Sequence, residues 1–133
     1  MSNHYGWTSV ATGQVSDGVT AINTALGVLD AALYLLQNPT IVTKTIDFTV
    51  AATDTNIICN KGSTLTITLP AASAITGRKL RIKTIQGFTV ISASSNVVPL
   101  VGGSAGTAIL AATAGKWADL QSDGTNWIIM AGN

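Results

Sequence analysis

The chain has 133 residues, with seven Lys plus Arg, six Asp and no Glu, so only 10% of its residues are charged. Average soluble proteins have about 25%. Hydrophobic residues make up 47% and the mean hydropathy is +0.42, which excludes a strongly disordered chain. The net charge of +1 argues against a general nucleic-acid-binding protein. One Cys excludes a disulfide framework and a multi-Cys zinc site.

Residues 1–14 are interpreted as an N-terminal arm. The arm has neither a positive region nor an apolar core, so we do not expect it to be a secretory signal. The long uncharged stretches of the chain are interrupted by polar residues and Gly, and we predict no membrane span. Tyr5, Trp7 and Val10 are apolar residues in a polar arm, and such residues are typical anchors on a partner surface.

The segment 15–38 has the spacing of a coiled-coil seam, because its apolar residues recur in alternating steps of four and three. The seam residues are Val15, Val19, Ile22, Leu26, Leu29, Leu33 and Leu36. We predict an α-helix that ends at Asn38-Pro39 and mediates oligomerisation. Leu at position a with Ile at position d favours trimers or tetramers.

A second interpretation of this helix stays open, namely an ordinary amphipathic helix packed on its own domain. Val28, Ala32 and Leu35 widen the apolar stripe, as expected for a helix covered on two sides. We favour packing between subunits.

After Pro39 the apolar residues alternate with Thr and charged residues, which is the period of β-strands. The predicted fold is mainly β: one N-terminal helix of trimeric coiled-coil type, then an antiparallel β-sandwich or barrel over residues 39–133. Asp123-Gly124 between two strand-like runs predicts a hairpin with a type I′ turn.

No residue pattern predicts catalysis, a cofactor or a metal site, and we expect the protein not to be an enzyme. His4 is the only histidine and lies in the arm, and Cys59 lies in an apolar strand without a basic neighbour. Lys79, Arg81 and Lys83 alternate onto one face of a strand. That face is interpreted as solvated or facing acidic groups of a neighbouring subunit. The alternative is an anion or nucleic-acid patch.

Three segments together resemble a β-module of tailed-bacteriophage virion proteins. They are TLTITLPAASAITGR at residues 64–78, LRIKT at 80–84 and LQSDGTNWII at 120–129. The resemblance spans roughly residues 45–131. It implies a trimeric virion protein whose β-module sits on a helical or fibrous stalk, without catalytic residues.

These observations lead to a structural hypothesis. The protein is expected to be a homotrimeric capsid decoration or cement protein, or a short head fibre, on the capsid surface of a virion. The helix would form the trimer interface, and the arm with Tyr5, Trp7 and Val10 would contact the major capsid protein. The alternative is a tail-fibre tip that binds a host receptor or surface glycan. Neither hypothesis involves nucleic acid, a membrane or a cofactor.

Overall fold

A computed structural model describes residues 17–37 and 39–133. The chain divides into two compact units, Met1–Pro39 and Thr40–Asn133. The described residues form one helix followed by ten strands and one short 3₁₀ turn, so the fold is mainly β with a helix near the N-terminus, as predicted. The predicted arm, residues 1–14, lies outside the described residues.

The helix α1 spans Asp17–Gln37, 21 residues within the predicted segment. Its sequence is rich in Ala and Leu, which have high helix propensity, and has no proline. Pro39, two residues after the last helical residue, cannot continue the helix. Residues 21–34, 36 and 37 all have exposed side chains. The first unit therefore presents an apolar stripe that its own described residues leave uncovered.

The second unit contains short strands separated by turns. The strands are β1 Ile41–Lys44, β2 Phe48–Thr49, β3 Asn56–Cys59, β4 Leu65–Thr68, β5 Lys79–Thr84, β6 Val90–Ser92, β7 Val97–Val98, β8 Ala108–Leu110, β9 Trp117–Ser122 and β10 Trp127–Gly132. The 3₁₀ turn is Ala72–Ala74. We call residues 40–133 the β-module.

The strands form two sheets. The six-stranded sheet has the order β1-β3-β5-β9-β10-β7, and the four-stranded sheet has the order β2-β4-β6-β8. From β1 to β9 the chain alternates between the sheets, so each strand is followed by one in the other sheet. Among the strands of residues 39–133, β9 and β10 are the one consecutive pair that is hydrogen-bonded to each other.

The prediction of an antiparallel module is wrong. Among the described residues, five strand pairings are parallel: β1 with β3, β3 with β5, β2 with β4, β4 with β6, and β7 with β10. Three pairings are antiparallel: β5 with β9, β9 with β10, and β6 with β8. The period of two reports which face of a strand is buried, but strand direction depends on which strand becomes its neighbour. From β1 to β6 the chain coils between the two sheets, so that alternate strands become neighbours in one sheet and run in the same direction.

The buried side chains of both sheets form one hydrophobic cluster. Leu80 and Ile82 enter it from the six-stranded sheet, and Leu65 and Ile67 from the four-stranded sheet. Trp127 is 1% exposed, and its Nε1 donates a hydrogen bond to the carbonyl of Pro70 at 2.9 Å. The two sheets therefore share one core, which includes the buried Trp127.

The predicted hairpin is present between β9 and β10, but its turn is not type I′. Gly124 has a φ of +94°, whereas no described non-glycine residue has a positive φ. The Asp123 carboxylate instead accepts hydrogen bonds from the backbone N–H groups of Thr125 and Asn126, at 2.8 and 2.7 Å. An aspartate whose carboxylate accepts hydrogen bonds from the following backbone N–H groups stabilises a turn without itself adopting a left-handed conformation.

Candidate assembly interface

The predicted seam of α1 is a continuous exposed apolar row. Its described side chains are exposed from 39% at Ile22 to 80% at Leu36. The intermediate members Leu26, Leu29 and Leu33 are exposed by 51–65%. Side chains three and four residues apart lie on the same face of a helix, so these five form one stripe. At 1.5 Å per residue the helix is about 32 Å long, and the stripe follows most of that length.

The stripe is wider than a seam of a and d positions alone. Val28 is 65% exposed, and the small side chains of Ala25 and Ala32 are also exposed. In the heptad they occupy positions c and g, and these extend the apolar face beyond the row of d positions. Asn23, Asp30 and Gln37 at the e positions give the opposite border a polar rim. The face is therefore asymmetric, with one apolar border and one polar border.

Four of the predicted site residues fall outside the part of the chain that the structure describes. Tyr5, Trp7 and Val10 of the arm, and Val15 of the seam, lie outside the described residues. Val19 lies within α1. Their role at an interface stays a prediction.

The basic strand predicted from the sequence is β5, and its faces are as predicted. Lys79, Arg81 and Lys83 are exposed, whereas Leu80 and Ile82 are buried. Arg81 has an acidic partner within its own chain, because it forms a two-point ion pair with Asp119 of the adjacent β9. Its Nε and one Nη donate to the two carboxylate oxygens at 2.6 and 2.8 Å. The guanidinium group lowers the pKa of Asp119, and the carboxylate raises the pKa of Arg81.

No local sequence pattern predicts that Asp119 and Trp117 lie beside this strand. Register pairs Arg81 with Asp119 and Lys83 with Trp117, and these residues are 34–38 positions apart in the chain. The only available signal was the alternation of Trp117, Asp119 and Gln121 with buried Ala118 and Leu120. Trp117 lies on the outward face of the sheet, whereas Trp127 on β10 is buried. The two hairpin tryptophans therefore lie on opposite faces.

Cys59 and Asp54 are side chains that could carry nucleophilic or metal chemistry, but each is buried in the β-module and has a structural role. Cys59 is buried in β3, and burial raises the pKa of its thiol to about 12, so the thiol stays protonated at neutral pH. Asp54 is buried, and its carboxylate accepts the backbone N–H of Ala51 at 2.9 Å. Within residues 17–37 and 39–133, no group of three or more His, Cys, Asp or Glu could hold a metal ion. In the same ranges, no helix is long and apolar enough to cross a membrane.

Comparison with known proteins assigns no family to the chain. No protein-family model, no curated protein and no solved structure matches it.

Proposed function

We propose that this chain is a structural virion protein of a tailed bacteriophage: a homotrimeric capsid decoration or cement protein, or a short head fibre. Its arm and helix attach it to the major capsid protein and to the other two copies, and its β-module faces outward as a two-layer sandwich. The observation that carries this proposal is the exposed seam of α1. The resemblance of residues 45–131 to a virion-surface β-module supplies the setting.

The seam favours helix association on physical grounds. Most helix stability in proteins comes from packing an apolar face against another surface. The described Leu and Ile residues of the stripe are 39–80% exposed, and helix association would bury this surface. Leu at the a positions with Ile at a d position favours three or four helices over two. Three identical copies also present three capsid-binding surfaces at once, and such multivalency strengthens attachment without new contacts.

Sedimentation of the full-length chain tests the trimer. The expected mass is three times the 13.6 kDa of one chain. Leu26→Asp places a charge in the seam and is expected to produce monomers, because a buried carboxylate without a partner is strongly unfavourable. Ala31→Asp is the matched control, since it adds the same charge at position f, outside the stripe. A monomeric parent chain at micromolar concentration would contradict the proposal, and so would equal effects of the two variants.

Antibody labelling of virions tests the location. Antibodies against the β-module should decorate the head of the particle. Labelling confined to the tail tip would support the alternative, a tail-fibre tip that binds a host receptor or glycan. Absence of the chain from purified particles would contradict both.

A further inference from the structure

A groove lies on the outward face of the six-stranded sheet. It has a volume of about 290 Å³ and is lined by Arg81, Lys83 and Trp117. Lys83 and Trp117 are register partners on β5 and β9, and Arg81 and Asp119 form the next outward pair. The groove therefore combines an aromatic ring with two cationic side chains on regular, paired strands.

The backbone of Trp117, which carries the aromatic wall of this groove, is anchored by the neighbouring Gly132 and Asn133. The backbone N–H of Trp117 donates to Asn133 Oδ1 at 2.9 Å, and its carbonyl accepts the Asn133 N–H at 3.2 Å. Gly132 lies so close that an added Cβ would be 2.7 Å from the same carbonyl oxygen. The Arg81 guanidinium carbon lies 5.9 Å from the centre of the indole ring. The Trp117 backbone is thus positioned before any ligand arrives, and a pre-positioned residue lowers the entropic cost of binding.

The groove carries uncompensated positive charge. Asp119 neutralises Arg81 through Nε and one Nη, but its carboxylate engages only part of the guanidinium group. Within residues 17–37 and 39–133, no acidic side chain lies within ion-pair distance of Lys83. Lys79 adds a further cation on the same face. An anion in the groove would therefore meet an ammonium group and the remaining guanidinium N–H groups.

We propose that this groove binds an acidic sugar unit of an anionic polysaccharide. The C–H face of the sugar ring stacks on the Trp117 indole, and its carboxylate accepts hydrogen bonds from Lys83 Nζ and from the Arg81 guanidinium. All the residues involved lie within the β-module, so the proposal is independent of how the helix assembles.

Size and charge favour a sugar over a macromolecular surface. A stable protein interface buries about 800 Å² on each partner, whereas this groove is lined by three side chains. Nucleic-acid binding requires a cationic track along a phosphate backbone, and the net charge of this chain is only +1. One ring and two cations match one charged ring of a carbohydrate.

Calorimetry on the full-length chain tests the proposal with defined oligosaccharides. The anionic probes are hyaluronan hexasaccharide, hexagalacturonate and hexameric polysialic acid, and the neutral control is chitohexaose. We expect at least one anionic probe to bind and chitohexaose not to bind. Lys83→Gln should weaken binding about tenfold, the effect of losing one hydrogen bond between charged groups. Trp117→Ala should remove measurable binding, and circular dichroism verifies that the variant is folded.

Lys79→Gln is the matched control for charge. It removes the same charge from the same face of β5, roughly 13 Å along the strand from Lys83 at about 3.3 Å per residue. We expect this substitution to weaken binding less than Lys83→Gln does, because Lys79 does not line the groove and contributes only through screened, longer-range attraction. Equal losses in Lys79→Gln and Lys83→Gln would indicate general electrostatic attraction and overturn the proposal.

Two further outcomes would also overturn it. One is failure of all three anionic probes to bind. The other is binding of a hexa-aspartate peptide with the same affinity and the same dependence on Trp117, which would indicate an acidic protein partner. If Trp117→Ala does not fold, Trp117→Leu keeps an apolar side chain of intermediate size and removes the aromatic face, and it should also lose binding.

Discussion

The helix α1 and the β-module contain the same types of aliphatic residue, but α1 exposes them to solvent and the β-module buries them. Leu29 in α1 is 65% exposed, whereas Leu80 in β5 is 1% exposed. In the β-module the chain coils between two sheets, so each strand pairs with other strands of the same unit. In the helix the apolar row lies along one element and needs a second surface. Large exposed apolar patches are typical of interaction surfaces, and this is why the stripe of α1 carries the proposed assembly.

The largest expected effect comes from one substitution made in both regions. Leu80→Ala should lower the free energy of unfolding of the β-module by about 2–5 kcal/mol, because it removes buried methyl groups and leaves a cavity. Leu29→Ala should change that free energy by less than about 0.5 kcal/mol, as is usual for exposed sites, and should weaken self-association. Denaturant unfolding followed by tryptophan fluorescence, together with sedimentation, measures both quantities.

This pair can contradict the comparison directly. If Leu29→Ala destabilised the β-module as much as Leu80→Ala in dilute, monomeric samples, the helix stripe would be part of the core of a single chain. The open interpretation of α1 as an ordinary amphipathic helix would then be correct.

A smaller effect is expected at two glycines within the β-module. Gly124 has a φ of +94°, and an added Cβ would lie 3.0 Å from Thr76 Oγ1. Gly124→Ala should therefore cost about 1–2 kcal/mol, the usual penalty of a left-handed conformation for an L-residue. Gly62 has no positive φ and no atom within 4 Å of an added Cβ. Gly62→Ala should be neutral or slightly stabilising, because it restricts the unfolded chain. Equal losses of stability at both sites would contradict the proposed role of the turn.

The same contrast explains what the sequence could predict. Burial follows the local alternation of apolar and polar residues. The inward faces of β5 and β9 and the apolar stripe of α1 could therefore be predicted from the sequence. The hairpin was readable because its strands are consecutive. The parallel pairings were not readable, since β1 and β3 are joined through a strand in the other sheet.

The groove beside Trp117 was missed for the same reason. It exists only because β9, which follows β8 in the chain, is inserted next to β5 in the six-stranded sheet. Neither Lys83 nor Trp117 carries a local signal of the other. Residues whose chemistry depends on register between distant strands require the fold before they can be identified.

The smallest expected effect is the response of the β-module to acid. Hydrogen bonds from Lys61 Nζ and from the Thr66 N–H lower the pKa of Asp47, and those from the Asn126 and Thr125 N–H groups lower that of Asp123. The guanidinium group of Arg81 does the same for Asp119. A carboxyl group with a lowered pKa in the folded state stabilises the fold above its unfolded pKa of about 3.9, and this contribution is lost as pH falls through the folded value.

The unfolding free energy of the β-module should therefore stay level from pH 7 to about pH 5 and decline below about pH 4. The decline should be shallow, because these carboxylates lie at the surface, where ion pairs contribute little. Asp119→Asn removes one of the titrating groups and should reduce the slope below pH 4, as measured by denaturant unfolding at a series of pH values. A stability that rose on acidification would mean that these aspartates are held at unfavourable, not favourable, positions in the folded chain.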